Sequence, residues 1–167
     1  MPKQFADGLS TEMVYAIVGS KSEFGPEHGM TQLTPKTLKP KFEGRGVYEL
    51  LRGAGTRIYP IAADLGEIAG DRTYHSLSAV PGSVDVLIDC LAKDHAVRVV
   101  EEAAAAGVRH IFFQPGTDAP EALRLCEAKG IKASKGCMLR HWPVSGLHRF
   151  ISPCFYMGLG ATKLPAQ

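Results

Sequence analysis

Arg57-Ile58-Tyr59-Pro60-Ile61-Ala62 and Val84-Asp85-Val86-Leu87-Ile88-Asp89 decide the fold of this chain. Each is a short apolar run that stops at small or polar residues. Between them, Ile68 to Leu77 reads as a turn leading to a short edge element, and Pro81-Gly82 as a turn. Upstream, Val14-Tyr15-Ala16-Ile17-Val18 is a continuous apolar run ending at Gly19-Ser20, as expected of a strand buried on both faces. Downstream, Val108 to Phe113 is another strand, breaking at Gln114-Pro115-Gly116, and Ile131 to Ser134 is the last. Helical patterns separate the strands. Val47, Leu50 and Leu51 mark one that ends at Gly53 and Gly55. Val97, Val100 and Ala104 mark a second, with Asp94 placed to cap it and Gly107 to end it. Asp118 to Lys129 is a third, with Asp118 as N-cap, Glu121 as its capping-box partner and Gly130 at its end. Strands alternating with helices predict a parallel sheet wound by right-handed crossovers.

The remaining chain constrains the function classes. With 167 residues, one domain with a real core is expected. A net charge of +2 makes no electrostatic case for nucleic acid. No secretory leader or bilayer-spanning run is visible, so a cytoplasmic protein without a membrane partner is expected. Cys90, Cys126, Cys137 and Cys154 lack CxxC spacing, so neither zinc nor a redox dithiol is signalled. Ser22 to Glu43, with Pro26, Pro35, Pro40, Lys36, Lys39 and Lys41, reads as a long loop of the kind that is functional or disordered.

Ligands of open parallel sheets bind beyond the carboxyl ends of the strands, at the switch in strand order. There Gly19 permits close backbone approach, Ser20 can donate to phosphate, and Lys21 adds charge. Gly44-Arg45-Gly46 opens the next helix, where free N–H groups and a bidentate guanidinium attract phosphate. The alternative is that these glycines only serve turns. The GxGxxG fingerprint is absent after the first strand, no acidic residue ends the second strand, and no GxxxxGK[ST] loop exists, so neither NAD nor nucleotide hydrolysis is favoured. Catalytic residues are not evident: there is no GxSxG elbow and no HExxH. His75 and His95 read as surface residues and His110 as a packed one. Asp89 points toward the ligand end or serves as a structural hydrogen-bonder. Cys137 and His141 could form an activated thiolate pair or simply a buried thiol near a surface imidazole.

Ala16-Ile17-Val18-Gly19-Ser20, Tyr59-Pro60-Ile61, Ile68-Ala69-Gly70, Tyr74-His75-Ser76-Leu77, Val80-Pro81, Val84-Asp85-Val86, Ala96-Val97, Val99 to Ala103, Phe113-Gln114-Pro115-Gly116 and Cys137 follow one another in a telling order. In that order and spacing the chain resembles the small bacterial CoA-binding-domain proteins, relatives of the N-terminal domain of the succinyl-CoA synthetase alpha subunit. The resemblance implies a single-domain α/β, Rossmann-like doubly wound fold over 13–141; the arm at 1–12 and the irregular tail at 142–167 lie outside it, and the tail has no counterpart in the family. It implies a CoA or acyl-CoA ligand, its phosphates held by Gly19, Ser20, Lys21, Arg45, Gly46 and Val47. Its adenine lies at Pro60, Ile61 and Ala62, and its pantetheine is bordered by Leu91, Ala92, Lys93, Gln114, Pro115 and Gly116. Where the family often has Pro-Val-Asn-Pro, this chain has Pro60-Ile61-Ala62-Ala63 and lacks the amide. A binding or regulatory module without its own catalysis is expected, with an NAD(P)-dependent oxidoreductase or the ligand-binding subunit of an acyl-CoA ligase as alternatives. The apolar tail, from Trp142 to Gln167, is expected to pack on the core or on a second subunit, with packing across a homodimer interface the expected outcome of the two.

Overall fold

A computed structural model describes residues 8–25 and 43–138. Five parallel strands form the sheet: β1 (Val14–Val18), β2 (Arg57–Ile61), β5 (Val86–Asp89), β6 (His110–Phe113) and β7 (Lys132–Lys135), in the order β2-β1-β5-β6-β7. β3 (Glu67–Ile68) and β4 (Asp71–Arg72) make a separate small antiparallel hairpin. The helices are α1 (Lys21–Phe24), α2 (Glu43–Gly53), α3 (Ala96–Ala105) and α4 (Pro120–Ala128). This is the α/β, Rossmann-like doubly wound architecture that the alternating pattern predicts.

Apolar runs on the central strands follow from burial on both faces. Along β1, Tyr15 and Ile17 enter the core under α1 and α2 with Phe24, Val47 and Leu51, while Ala16 joins the opposite core with Val99, Val100 and Ala122 of α3 and α4. β5 divides in the same way, Val86 and Ile88 to one side and Leu87 to the other. The arm is part of this fold at its inner end: Leu9 is fully buried, and Tyr15 donates its hydroxyl to the Ser10 carbonyl at 2.7 Å. Asp85 is structural, since its carboxylate accepts from Val14 N and its own N–H donates to the Val14 carbonyl.

Several local expectations are corrected. The expected loop from Ser22 begins instead as the tail of α1. Asp94 lies in a 3₁₀ turn, Lys93–His95, and α3 starts on His95 without a side-chain cap. Asp118 does not cap α4, which starts on Ala119 with Pro120 at its first turn; the carboxylate pairs with Lys135 Nζ at 3.0 Å, and Glu121 pairs with Arg124. Gly107 and Gly130 do end their helices, with φ of 76° and 66° that other residues adopt at a cost. The tail at 142–167, His141 and most of the 22–43 insertion lie outside the described residues.

Candidate functional site

The strand order places the switch point between β1 and β5: the chain first steps outward to β2 and then crosses back to β5. Two loops meet there, Gly19-Ser20-Lys21 after β1 and Cys90-Leu91-Ala92-Lys93 after β5. The loop Gln114-Pro115-Gly116 after β6 lies alongside, tied in by the Gln114 N–H donating to the Asp89 carbonyl at 3.0 Å.

The first loop is internally bonded. Ser20 caps α1 through a capping box: its Oγ accepts from Ser22 N at 3.1 Å, and its own N–H donates to Glu23 Oε2 at 2.7 Å. The Ser20 hydroxyl also donates to that carboxylate. Lys21 N–H donates to Asp64 Oδ1 at 2.9 Å, and Gly19 N–H to the Ile61 carbonyl at 3.0 Å. The Ser20 hydroxyl read as a phosphate donor, and the N–H groups of Gly19, Ser20 and Lys21, therefore already serve the chain's own oxygens. The Lys21 side chain is exposed.

Gly19 and Gly44 both lie against the buried ring of Phe24. A Cβ on Gly19 would stand 3.0 Å from the ring, and one on Gly44 would stand 3.2 Å from the ring and from the Glu23 carbonyl. Here glycine makes room for an aromatic side chain. A Cβ on Gly46 would meet nothing within 4 Å. The opening of α2 is thereby placed beside α1, at the carboxyl end of β1. Arg45 Nε pairs with Glu49 Oε1 at 2.9 Å, and the Arg45 side chain is only 11% exposed. Val47 is fully buried in the core.

At the edge of the sheet Pro60, Ile61 and Ala62 are buried beneath a strand-like bridge to Tyr74, whose N–H donates to the Pro60 carbonyl and whose carbonyl accepts from Ala62 N, both at 2.9 Å. Tyr74 packs edge-on against Tyr59, with ring centroids 5.7 Å apart. On the β5 loop Leu91 is buried while Ala92 and Lys93 are exposed; after β6 Gln114 is buried, Pro115 half-buried and Gly116 exposed.

Two buried polar atoms lack hydrogen-bond partners among the described residues, and both sit at this end of the sheet: Asp89 Oδ2 and Gln114 Nε2. Asp89 is the last residue of β5. Its Oδ1 accepts from Leu91 N at 3.0 Å. Burial raises its pKa from 3.8 to about 7, opposed by the Leu91 N–H, raised further by the Glu23 charge and lowered by Arg98. The Gln114 Oε1 accepts from Met138 N at 2.8 Å. Sequence reasoning named Gln114, left Asp89 undecided, weighed Asp64 only as an acidic residue lying too far beyond the second strand to grip a ribose, and missed Glu23 and Phe24. Ser20-x-x-Glu23 carried a capping-box signal, whereas Asp64 and Phe24 act over distances that no local pattern reports. His75 and His95 are exposed, and His110 is buried with Nε2 2.9 Å from Ser134 Oγ. Cys137 is buried. Among the described residues no cluster of three or more His, Cys, Asp or Glu could hold a metal, and no helix is long and apolar enough to cross a membrane.

Residues 36–143 match the family described as CoA binding domain, and the chain belongs to that family. Among solved structures, a hypothetical protein from Pyrococcus horikoshii OT3 is similar at 21% identity and TM-score 0.63, over 83% of this chain and 94% of that one. A conserved hypothetical protein from Pyrococcus furiosus is similar at 26% identity and TM-score 0.59, over 74% and 93%. A dinucleotide-forming acetyl-coenzyme A synthetase from Ca. Korarchaeum cryptofilum, in complex with phosphate and ADP, shares the fold at 22% identity and TM-score 0.52. That match covers 71% of this chain and 25% of the synthetase. No curated protein matches.

Proposed function

We propose that this protein binds CoA or an acyl-CoA across the carboxyl ends of β1, β5 and β6, as a binding or regulatory module. Family membership carries the reading, and the crevice supports it. The cations Lys21, Arg45 and Lys93 stand on the loops and helix start around the switch point, where the phosphates of CoA need charge-assisted bonds. Gly46 leaves open space on α2, and Asp89 and Gln114 bring buried, unpartnered polar atoms to strand ends. The exposed Ala92, Lys93 and Gly116 border the path assigned to the pantetheine arm. The adenine subsite falls at Pro60, Ile61 and Ala62. Their main-chain groups are already bonded to Gly19 and Tyr74, so we assign the adenine apolar contact there. A second reading is a ligand-binding subunit of an acyl-CoA ligase, favoured by the shared fold with part of a synthetase. Thermal shift with CoA, acetyl-CoA, NAD and NADP tests the proposal. A hundredfold excess over Kd is expected to stabilise the protein by about 2.7 kcal/mol. A shift with NAD and none with CoA refutes it. A further shift with CoA only after a purified ligase partner is added selects the second reading.

A further inference from the structure

We propose that Asp89 reads the ligand directly, its protonated carboxyl donating Oδ2–H to an accepting oxygen of bound CoA. The inference rests on the CoA reading of the crevice. Three observations bring it there. Asp89 ends β5 at the switch point, fully buried. One carboxyl oxygen is fixed by Leu91 N at 3.0 Å, which leaves the other without a partner among the described residues. A buried polar atom in that position costs free energy unless something completes it.

The choice of donor over acceptor follows from the charges that face the group. From α1, Glu23 places a negative charge near it; from α3, Arg98 places a positive one. Its register partners on β1 and β6, Val18 and Phe113, bring no titratable group. Burial already favours the neutral form and puts the pKa at about 7. An anionic ligand arriving in the same crevice adds negative charge and favours that form further. Neutral Asp89 can meet a ligand oxygen; ionised Asp89 would repel it. Binding therefore takes up one proton, which moves from solvent to Asp89 Oδ2 and stays there in the complex.

Calorimetric titration of the full chain with CoA at pH 6 and pH 8, in buffers of differing ionisation enthalpy, tests this. Asp89→Asn keeps an acceptor for Leu91 N and a donor for the ligand, but cannot titrate. Because CoA phosphate itself ionises in this range, the comparison with that variant isolates Asp89. The wild type is expected to lose about tenfold more affinity than Asp89→Asn between pH 6 and pH 8, as linkage to one proton requires, and to take up a proton at pH 8. Equal pH dependence in both proteins overturns the proposal. Should the variant fail to fold, wild-type binding at pH 8 without proton uptake overturns it alone and leaves the CoA reading standing. No CoA binding by wild type at either pH overturns both.

Discussion

The backbone N–H of Lys21 donates to Asp64 Oδ1 over 2.9 Å, joining the loop after β1 to the segment after β2. The bond places a carboxylate beside the turn that follows β1. Glu23 does the same from within α1, holding Ser20 N. The loop after β1 is thus bonded within the chain and carries two carboxylates. In the proposed complex Lys21 of this loop and Arg45 of α2 have to outweigh those two charges for a phosphate to settle.

Asp64→Asn should therefore tighten CoA. The amide keeps an oxygen for Lys21 N and removes the negative charge. A surface charge of this kind contributes about 0.3–1 kcal/mol, so about two- to fivefold in Kd is expected, diminishing in high salt. Calorimetry at low and moderate ionic strength reads it. An unchanged Kd at low salt would place the phosphates away from the β1 loop.

Arg45→Ala should separate binding from folding. Its ion pair with Glu49 is of the i,i+4 kind, but the Arg45 side chain is only 11% exposed, so truncation also removes packing and stability is expected to fall by about 1 kcal/mol. A charge-assisted bond to phosphate lost from the complex costs about 1.5–3 kcal/mol. Parallel urea melts and CoA titrations measure the two. A large drop in stability with unaltered binding would make Arg45 a structural residue of α2.

Gly19→Ala should destabilise the fold by roughly 1–3 kcal/mol, the usual penalty for overpacking. The new methyl would stand 3.0 Å from the fully buried Phe24 ring, closer than carbon atoms tolerate. Combining it with Phe24→Leu should recover part of the loss, because the smaller side chain frees the space. Chemical denaturation of the single and double variants decides. A neutral Gly19→Ala would mean that the ring moves aside freely.

The fold was legible where burial acts on whole segments. Val14–Val18 and Val86–Asp89 lie inside the sheet with a core on each face, and that leaves a continuous apolar run in the sequence; the edge strand Arg57–Ile61 is buried only at Pro60 and Ile61. Gly107 and Gly130 were legible because the left-handed backbone at a helix end selects glycine. Helix starts were not: Asp94 and Asp118 have capping chemistry, but a carboxylate serves whichever donor the fold brings nearest, and for Asp118 that donor is Lys135. The loops at the carboxyl ends of β1, β5 and β6 fall where the sequence places them, since those ends follow from topology. Their electrostatics were not legible. Glu23 could have been found from its spacing to Ser20, but the reach of Asp64 to Lys21 and the covering of Gly19 by Phe24 are tertiary facts. Asp89 looked ambiguous because one strand-end aspartate resembles another until its burial is known.

The burial of Asp89 also makes stability depend on pH in a direction opposite to that of a salt-bridged carboxylate. In the unfolded chain the group ionises near 3.8; in the folded protein it does so near 7. Between those values the folded state holds a proton that the unfolded state has lost, so stability falls as pH rises. The contribution is fully present below pH 4, is lost progressively through pH 7, and stays lost above it. The span from 3.8 to about 7 corresponds to a ceiling of roughly 4 kcal/mol. Asp89→Asn holds a neutral group at every pH and should abolish this slope. It is then expected to match the wild type only at about pH 4 and below, and to exceed it by a margin that grows up to about pH 7 and stays constant to pH 8. Urea denaturation at half-unit steps from pH 4.5 to 8.5 gives both curves. If Asp89→Asn retains the wild-type slope, so that the difference between the two curves does not change with pH, Asp89 is ionised in the folded protein and cannot act as a hydrogen-bond donor in the crevice.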